Sequence, residues 1–219
     1  MTQPLAVILG AGPGIGLAVA RRFAQGGFRV AVAARPADPL AAFQGELEAL
    51  GVPALVLGAD LAMGVALRQA LDAIQAWGGW PEVLVYNASA GAPGPCADLD
   101  PVRFLADFQV NAASPLAAAQ WALPAMAARG RGTLLFTGGG LALAPKAGLA
   151  SASLGKAALR SLALSLAQEL APQGLHAATV TVAGFVQPDT PLAPERVAQA
   201  FWDLHIQPRD TWTPEVVVS

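Results

Sequence analysis

The strongest chemical signal in the sequence is a glycine-rich segment near the beginning of the chain. Glycine occupies every second position from Gly10 to Gly16, directly after the apolar run Leu5–Leu9. A buried strand that enters such a turn and continues as a helix lets the backbone approach a pyrophosphate, and the free N–H groups of the helix N-terminus can bind it. The spacing differs from Gly-x-Gly-x-x-Gly, but it still predicts a dinucleotide site. The expected contacts are Gly10, Gly12, Gly14, Ile15 and Gly16.

The end of the second predicted strand indicates which dinucleotide is preferred. A carboxylate there would bind a ribose hydroxyl and select NAD. The sequence has Ala33, Ala34 and Arg35 instead, and arginine binds phosphate oxygens in a bidentate geometry. Arg35 therefore favours NADP(H) through the 2′-phosphate, while the nearby Asp38 leaves NAD(H) open as an alternative.

The elements that position this turn follow from the alternation of short apolar runs and longer helical patterns. The predicted strands are 5–9, 28–34, 54–57, 83–86, 133–137, 175–182 and 215–218, and the predicted helices are 14–26, 39–50, 63–77, 101–128, 150–171 and 194–204. Strands that are apolar on both faces and separated by helices are typical of a covered parallel sheet. The expected fold is an α/β, doubly wound Rossmann-type parallel sheet of about seven strands with helices on both faces. No linker divides the sequence, so residues 1–219 are predicted to form a single domain.

Composition excludes several classes of protein. Hydrophobic residues make up 54% and charged residues 13%, which argues against a disordered chain. A net charge of −2 without a basic run argues against nucleic-acid binding. The uncharged stretches 2–20 and 110–128 are interrupted by glycine, proline or polar residues, so no membrane span is predicted. A single cysteine, Cys96, and the well-separated His176 and His205 predict no metal site and fit a cytoplasmic location.

The glycine turn and the motifs that follow it resemble those of the short-chain dehydrogenase/reductase family, over the chain from Leu5 to about Val186. Each further motif occurs in the family's order. The residues that carry the resemblance are Asp60 and Leu61 (an acidic adenine contact), Asn87 and Ala88 (an Asn-Ala-Gly element ending here in Ser89), Asn111 (a mid-helix asparagine), Lys156 (the active-site lysine), and Gly184 and Val186 (a Pro-Gly-x-Val loop without its proline).

The resemblance implies hydride transfer between a nicotinamide and a carbonyl or alcohol, with Lys156 and Asn111 as catalytic residues. In the family, a tyrosine one helical turn before the lysine donates the proton, and a serine at the end of the fifth strand holds the substrate oxygen. Here Ala152 stands four positions before Lys156, and the serine position falls at Gly139 within a run of three glycines. The only tyrosine, Tyr86, is predicted to be a core residue. The sequence therefore predicts a divergent member that lacks both hydroxyl groups.

Two functions remain open at this point. One is an NADP(H)-dependent oxidoreductase with an altered catalytic centre, which would act on a small-molecule substrate. The other is a catalytically silent NADP(H)-binding sensor or partner subunit. The low charge content and the alanine- and leucine-rich stretches 102–128 and 150–170 predict a homodimer or homotetramer.

Overall fold

The structure is a computed structural model that describes residues 3–219, and its centre is a fully parallel, seven-stranded sheet. The strands are β1 (Leu5–Leu9), β2 (Arg29–Ala34), β3 (Ala54–Gly58), β4 (Val83–Tyr86), β5 (Thr133–Gly139), β6 (His176–Val182) and β7 (Glu215–Val218). Their order is β3-β2-β1-β4-β5-β6-β7. Strands β2 and β3 therefore lie on one side of β1, and the chain then crosses back so that β4 to β7 lie on the other side. This reversal opens a crevice between the ends of β1 and β4, which is where such sheets bind ligands.

Seven helices cover both faces of the sheet within the described residues. They are α1 (Ile15–Gln25), α2 (Leu40–Glu48), α3 (Gly64–Gly78), α4 (Pro101–Phe108), α5 (Ser114–Arg129), α6 (Ala150–Leu170) and α7 (Pro194–His205). Successive side chains of a strand point to opposite faces, so Ala6 and Ile8 of β1 join the core under α1, α2 and α7. Val7 and Leu9 join the second core, under α3, α5 and α6. The predicted doubly wound fold is confirmed.

The helix predicted over residues 101–128 is interrupted in the structure. Residues 109–113 form a single wide, π-type turn between α4 and α5. Pro115 gives the physical reason, because it has no N–H to donate to the carbonyl of Asn111 and its ring would clash with that carbonyl in a regular helix. The side chain of Ser114 connects the turn to the segment after β3 by donating to the Leu61 carbonyl at 2.7 Å.

Strand β5 also differs from expectation, since it continues two residues past its predicted end and includes Gly138 and Gly139. Gly138 lies directly on β6, and a Cβ at this position would approach the hydroxyls of Thr179 and Thr181 to 2.6 Å. The extra strand residues carry Gly139 to the edge of the sheet where the crevice opens.

Within residues 3–219, no helix has both the length and the apolar character needed to cross a bilayer. The same residues hold no cluster of His, Cys, Asp and Glu side chains placed to bind a metal ion.

Candidate functional site

A cleft of about 1050 Å³ opens at the carboxyl ends of the strands. Its walls come from the segments that follow β1, β2, β4, β5 and β6. The glycine turn lies in the middle, the Arg35–Asp38 turn lies on the β2 side, and the segment 137–149 lies on the β5 side. Neighbouring strands are about 4.8 Å apart, so the β2 and β5 sides are separated by roughly 14 Å. An extended dinucleotide can lie across this distance.

The glycines of the turn fall into two pairs with different surroundings. Gly10 has φ +96°, and a Cβ there would lie 2.3 Å from the backbone nitrogen of Ala88. A Cβ at Gly16 would lie 2.6 Å from the Gly10 carbonyl oxygen. These two glycines let the turn, β4 and α1 pack together. A Cβ at Gly12 or Gly14 would meet no atom within 4 Å, so this pair leaves open backbone facing the cleft. Such a cradle fits phosphate groups.

Asn87 connects the glycine turn to β5. Its side-chain nitrogen donates to the Gly10 carbonyl at 2.6 Å, and its side-chain oxygen accepts from the Thr137 hydroxyl at 2.8 Å. The following backbone is held as well, because the N–H groups of Asn87 and Ala88 both donate to the Leu9 carbonyl. Asn87 is thus a structural link in the cleft wall, and it brings Ala88 against the turn.

Arg35, which is predicted to favour NADP(H), and Asp38, which leaves NAD(H) open, bind each other. The Arg35 guanidinium lies 3.1 Å from the Asp38 carboxylate, which also accepts from the Arg35 backbone N–H at 2.9 Å. The hydrogen bond between the Arg35 guanidinium and Asp38, together with the opposite charge of Asp38, raises the pKa of Arg35 above its ordinary value. The arginine side chain is 79% exposed and the aspartate only 11%. The guanidinium can therefore turn towards an added phosphate more easily than Asp38 can leave its place.

Lys156 reaches the cleft from α6. Its ammonium donates to the Thr137 carbonyl at 2.8 Å, at the end of β5. Part of the residue stays open to the cleft, but desolvation of the ammonium lowers its pKa to about 8. The lysine stem passes Gly139, where a Cβ would lie 3.4 Å from Cε. Gly139 has extended backbone, with φ −158°, so a serine could stand here beside the lysine.

The position predicted for the missing tyrosine is occupied by closely packed backbone. Ala152 contacts Gly91, since a Cβ at Gly91 would approach the Ala152 Cβ to 2.7 Å. A further contact holds the two segments together, because Asp107 accepts from both the Ala92 N–H and the Ser151 hydroxyl. The loop after β4 is thus fixed against the start of α6, and Ala152 is not among the residues that line the cleft within the described chain.

Other hydroxyl groups are engaged elsewhere. Tyr86 is fully buried, its hydroxyl donates to the Val110 carbonyl at 2.7 Å, and burial raises its pKa. Ser153 is also buried and donates to the Leu149 carbonyl at 2.8 Å. The Tyr86 side chain belongs to the core, as the sequence predicts, and neither hydroxyl is directed at the reaction end of the cleft.

Three predicted site residues lie outside the cleft lining. Asn111 is 1% exposed, and both atoms of its amide pair with the backbone of Ala90, at 3.1 and 2.7 Å. Asp60 is exposed and accepts from the Ala62 N–H at 3.0 Å, and Leu61 is buried under α5. The cleft brings together the remaining predicted residues, which are Gly10, Gly12, Gly14, Ile15, Gly16, Arg35, Asn87, Ala88, Lys156, Gly184 and Val186.

Several lining residues were not predicted from the sequence. They are Ser89, Thr137, Leu141, Leu143, Lys146, Leu149 and Phe185. Thr137 could have been found from its place at the end of a predicted strand, next to the three glycines. The others lie on loops whose course no periodicity indicates.

Comparisons with known proteins agree with this geometry. A sequence model described as "short chain dehydrogenase" matches residues 4–199. Nodulation protein G of Azospirillum brasilense is 29% identical over 205 residues, covering 93% of this chain and 83% of the relative. Oxidoreductase asL5 of Sarocladium schorii is 32% identical over 178 residues, covering 80% and 70%. The crystal structure of a metagenomic short-chain oxidoreductase in complex with NADP is 30% identical, with a TM-score of 0.87, and covers 98% of this chain and 96% of that one.

Proposed function

Because the chain belongs to the short-chain dehydrogenase family, we propose that it is an NADP(H)-dependent oxidoreductase that transfers a hydride to or from a carbonyl or alcohol through an altered catalytic centre. The observation that carries the proposal is one cleft that contains the open glycine cradle at one point and the Lys156 ammonium at another. The solved relative that is 30% identical holds NADP, which supports a nicotinamide cofactor here.

The residues of the cleft fit the parts of the cofactor. Gly12 and Gly14 would face the pyrophosphate at the N-terminus of α1. Arg35 would bind the 2′-phosphate, and Lys156 would bind the hydroxyls of the nicotinamide ribose. The nicotinamide end would be held by Asn87, Ala88, Gly184 and Val186, which line the β4 and β6 sides. Asp60 and Leu61 remain predicted adenine contacts, although they lie outside the described lining.

The alteration of the catalytic centre would affect the transfer of the proton and not the transfer of the hydride. The bound cofactor supplies or accepts the hydride, while the chain has to position the substrate and provide for a proton at its oxygen. Without a hydroxyl at Ala152 or Gly139, that proton comes from a bound water or from the substrate itself. Loss of a positioned general acid typically costs about 10²–10⁴-fold in rate. We therefore expect slow turnover of ordinary ketones.

A second function is supported by the packing of Ala152. Ala152 packs against Gly91 at the helix start and lies outside the described cleft lining, and the Asp107 hydrogen bonds hold this contact in place. A protein that binds NADP(H) without turnover, as a sensor or partner subunit, would use the same cradle. Asn111 would then support the loop after β4 through Ala90 and take no part in chemistry.

We also propose that the chain assembles as a homodimer or homotetramer. Helix α4 has no buried residue, and Val102 and Leu105 are 75% and 65% exposed. Leu154 of α6 and Leu116 of α5 add exposed apolar surface. A second copy of the chain would cover these helices. Sedimentation that shows only a 22.2 kDa species would reject this assembly.

Calorimetric titration with NADPH and NADH tests the main proposal. We expect NADPH to bind more tightly, with the preference reversed in Arg35→Asp. Gly12→Val should abolish binding because its side chain would enter the open cradle. Gly45→Val is the matched control, since Gly45 also has no atom within 4 Å of a built Cβ but lies on α2 away from the cleft. Binding of neither nucleotide to the parent protein would reject both functions, whereas binding without turnover on a carbonyl panel would favour the silent protein.

A further inference from the structure

Both lysines of the chain lie in the wall of this cleft. The sequence has 13 cationic side chains, and only Lys146 and Lys156 among them are lysines. Lys156 reaches the end of β5, whereas Lys146 lies exposed on the loop between β5 and α6. Nothing in the proposed cofactor contacts uses Lys146.

The backbone of Lys146 is fixed in place. Its carbonyl accepts from the Leu149 N–H at 2.9 Å, and its own N–H donates to the Ser153 hydroxyl at 3.3 Å. The same hydroxyl donates to the Leu149 carbonyl. Ser153, which flanks the missing tyrosine, therefore acts as an anchor for the Lys146–Leu149 turn. This anchor holds the lysine at the rim of the cleft.

The surface around Lys146 is apolar. Leu143 and Leu149 are 48% and 36% exposed, and Phe185, on the segment of the cleft lining that follows β6, is 83% exposed. Large exposed apolar side chains that share a concave site commonly bind the apolar body of a ligand. The reaction end of the cleft thus combines an apolar wall with an ammonium group at its rim.

No carboxylate among the described residues forms an ion pair with this ammonium group. The ion pairs formed among residues 3–219 include neither lysine. The one carboxylate in the cleft lining, Asp38, is already paired with Arg35 on the β2 side. That side lies roughly 14 Å from the end of β5. Two ammonium groups without an ion-pair partner therefore line the reaction end, and such charges favour an anion.

We propose that the substrate is a carbonyl compound or alcohol with an apolar body and an anionic group, and that Lys146 binds that group. This inference rests on the proposed function, because it places the substrate over the reaction end of the same cleft. Lys156 lies deeper, near the reacting oxygen, and Lys146 serves as the specificity-determining residue at the rim.

A matched pair of ligands tests the proposal. 4-Acetylbenzoate and its methyl ester share the ketone and the ring, and only the first is an anion. Each is titrated calorimetrically into protein saturated with NADP⁺, which has no hydride to transfer. We expect the carboxylate to bind about three- to fivefold more tightly than the ester, as one partly exposed charge pair allows. The difference should shrink as salt screens the charges.

Three variants assign the preference to one residue. Lys146→Gln should remove the preference, and Lys146→Arg should retain it. Arg68→Gln, which removes an exposed charge on α3 outside the cleft lining, should leave it unchanged. Equal affinity for acid and ester, binding of neither, or an unchanged preference in Lys146→Gln would overturn the proposal.

The proposed function is judged separately by the titration with NADP⁺ that comes first. If the nucleotide does not bind, the oxidoreductase proposal fails. The same two ligands are then titrated into the protein alone, where a preference that depends on Lys146 would still support the anion site and its absence would still reject it.

Discussion

The two ends of the cleft differ in the kinds of residue that line them. At the glycine turn, every predicted contact from Gly10 to Gly16 lines the cleft, and tight packing on Ala88 maintains the turn. At the other end, Lys156 is present, but Gly139 of β5 and Ala152 of α6 stand at the positions where the resemblance predicts hydroxyl groups. A fold can therefore preserve the geometry of nucleotide binding while its reaction chemistry changes, because different strands supply the two sets of residues.

The largest expected effect comes from introducing hydroxyl groups at residues 139 and 152. Gly139→Ser combined with Ala152→Tyr should raise the rate of ketone reduction with NADPH about 10²–10⁴-fold. Residue 139 has room and extended backbone for a serine, and residue 152 lies one helical turn before Lys156. Steady-state kcat/KM measures the gain.

The control for this variant is Gly139→Ser with Ala152→Phe, which adds the ring without the hydroxyl. Equal rates for the Tyr and Phe variants would mean that no proton donor has been restored. The Gly91 contact, rather than the missing hydroxyl, would then limit the reaction end.

A second test separates the two pairs of glycines. Gly10→Ala should lower the free energy of unfolding by about 1–3 kcal/mol, because its Cβ would overlap Ala88. Gly12→Ala should change it by less than about 0.5 kcal/mol, because its Cβ lies in open space. Chemical denaturation measures both free energies. Similar losses of stability in the two variants would contradict the division of the glycines into a packed pair and an open pair.

The third prediction concerns Asp38. Asp38→Asn should increase the preference for NADPH over NADH about three- to fivefold, because the Arg35 guanidinium would be released for the 2′-phosphate and a repelling charge would be lost. The control is Asp72→Asn, an exposed site on α3 away from the cleft. A preference that moves equally in both variants would indicate only a change of overall charge.

The smallest effect is a pH dependence of stability. The pKa of Lys156 is lowered from 10.5 to about 8, so between these values the unfolded chain holds a proton that the folded chain has released. A pKa shift of this size corresponds to at most about 3 kcal/mol. Because part of Lys156 is open to the cleft, we expect the free energy of unfolding to rise with pH by no more than about 2 kcal/mol across this window. Below about pH 8 both states are protonated, and this contribution is flat.

Lys156→Met provides the comparison for that measurement. The difference in unfolding free energy between the parent protein and this variant, measured without nucleotide, should rise from pH 8 to pH 10.5. A difference that stays constant over this range would mean that the ammonium is well solvated in the cleft.

The sequence predicts most of the glycine-turn end because local patterns determine it. An apolar strand, a glycine turn and the following helix are consecutive, and Arg35 follows the next strand directly. The Arg35–Asp38 pair was not predicted, because side-chain partners in a turn depend on its exact geometry. The break before α5 could have been predicted from the sequence, since Pro115 cannot continue the hydrogen bonding of a regular helix.

The reaction end was less predictable. The resemblance predicts a catalytic role for Asn111, yet both the oxygen and the nitrogen of its amide hydrogen-bond to the backbone of Ala90. Lys146 lies on a loop that is placed by the Ser153 anchor, and no spacing in the sequence indicates that contact. Local periodicity cannot predict the positions of loop residues that are held by hydrogen bonds to other parts of the chain.

The restriction of lysine to the cleft has a practical consequence for handling the protein. Every side-chain amine in the sequence belongs to Lys146 or Lys156. Amine-directed dyes, cross-linkers or immobilisation surfaces that react with a side chain will therefore attach inside or at the rim of the ligand site rather than at random over the surface. The exposed rim lysine offers a place for a fluorescent reporter of ligand entry, while attachment for surface-based binding assays is better made through Cys96, which is exposed and outside the cleft lining.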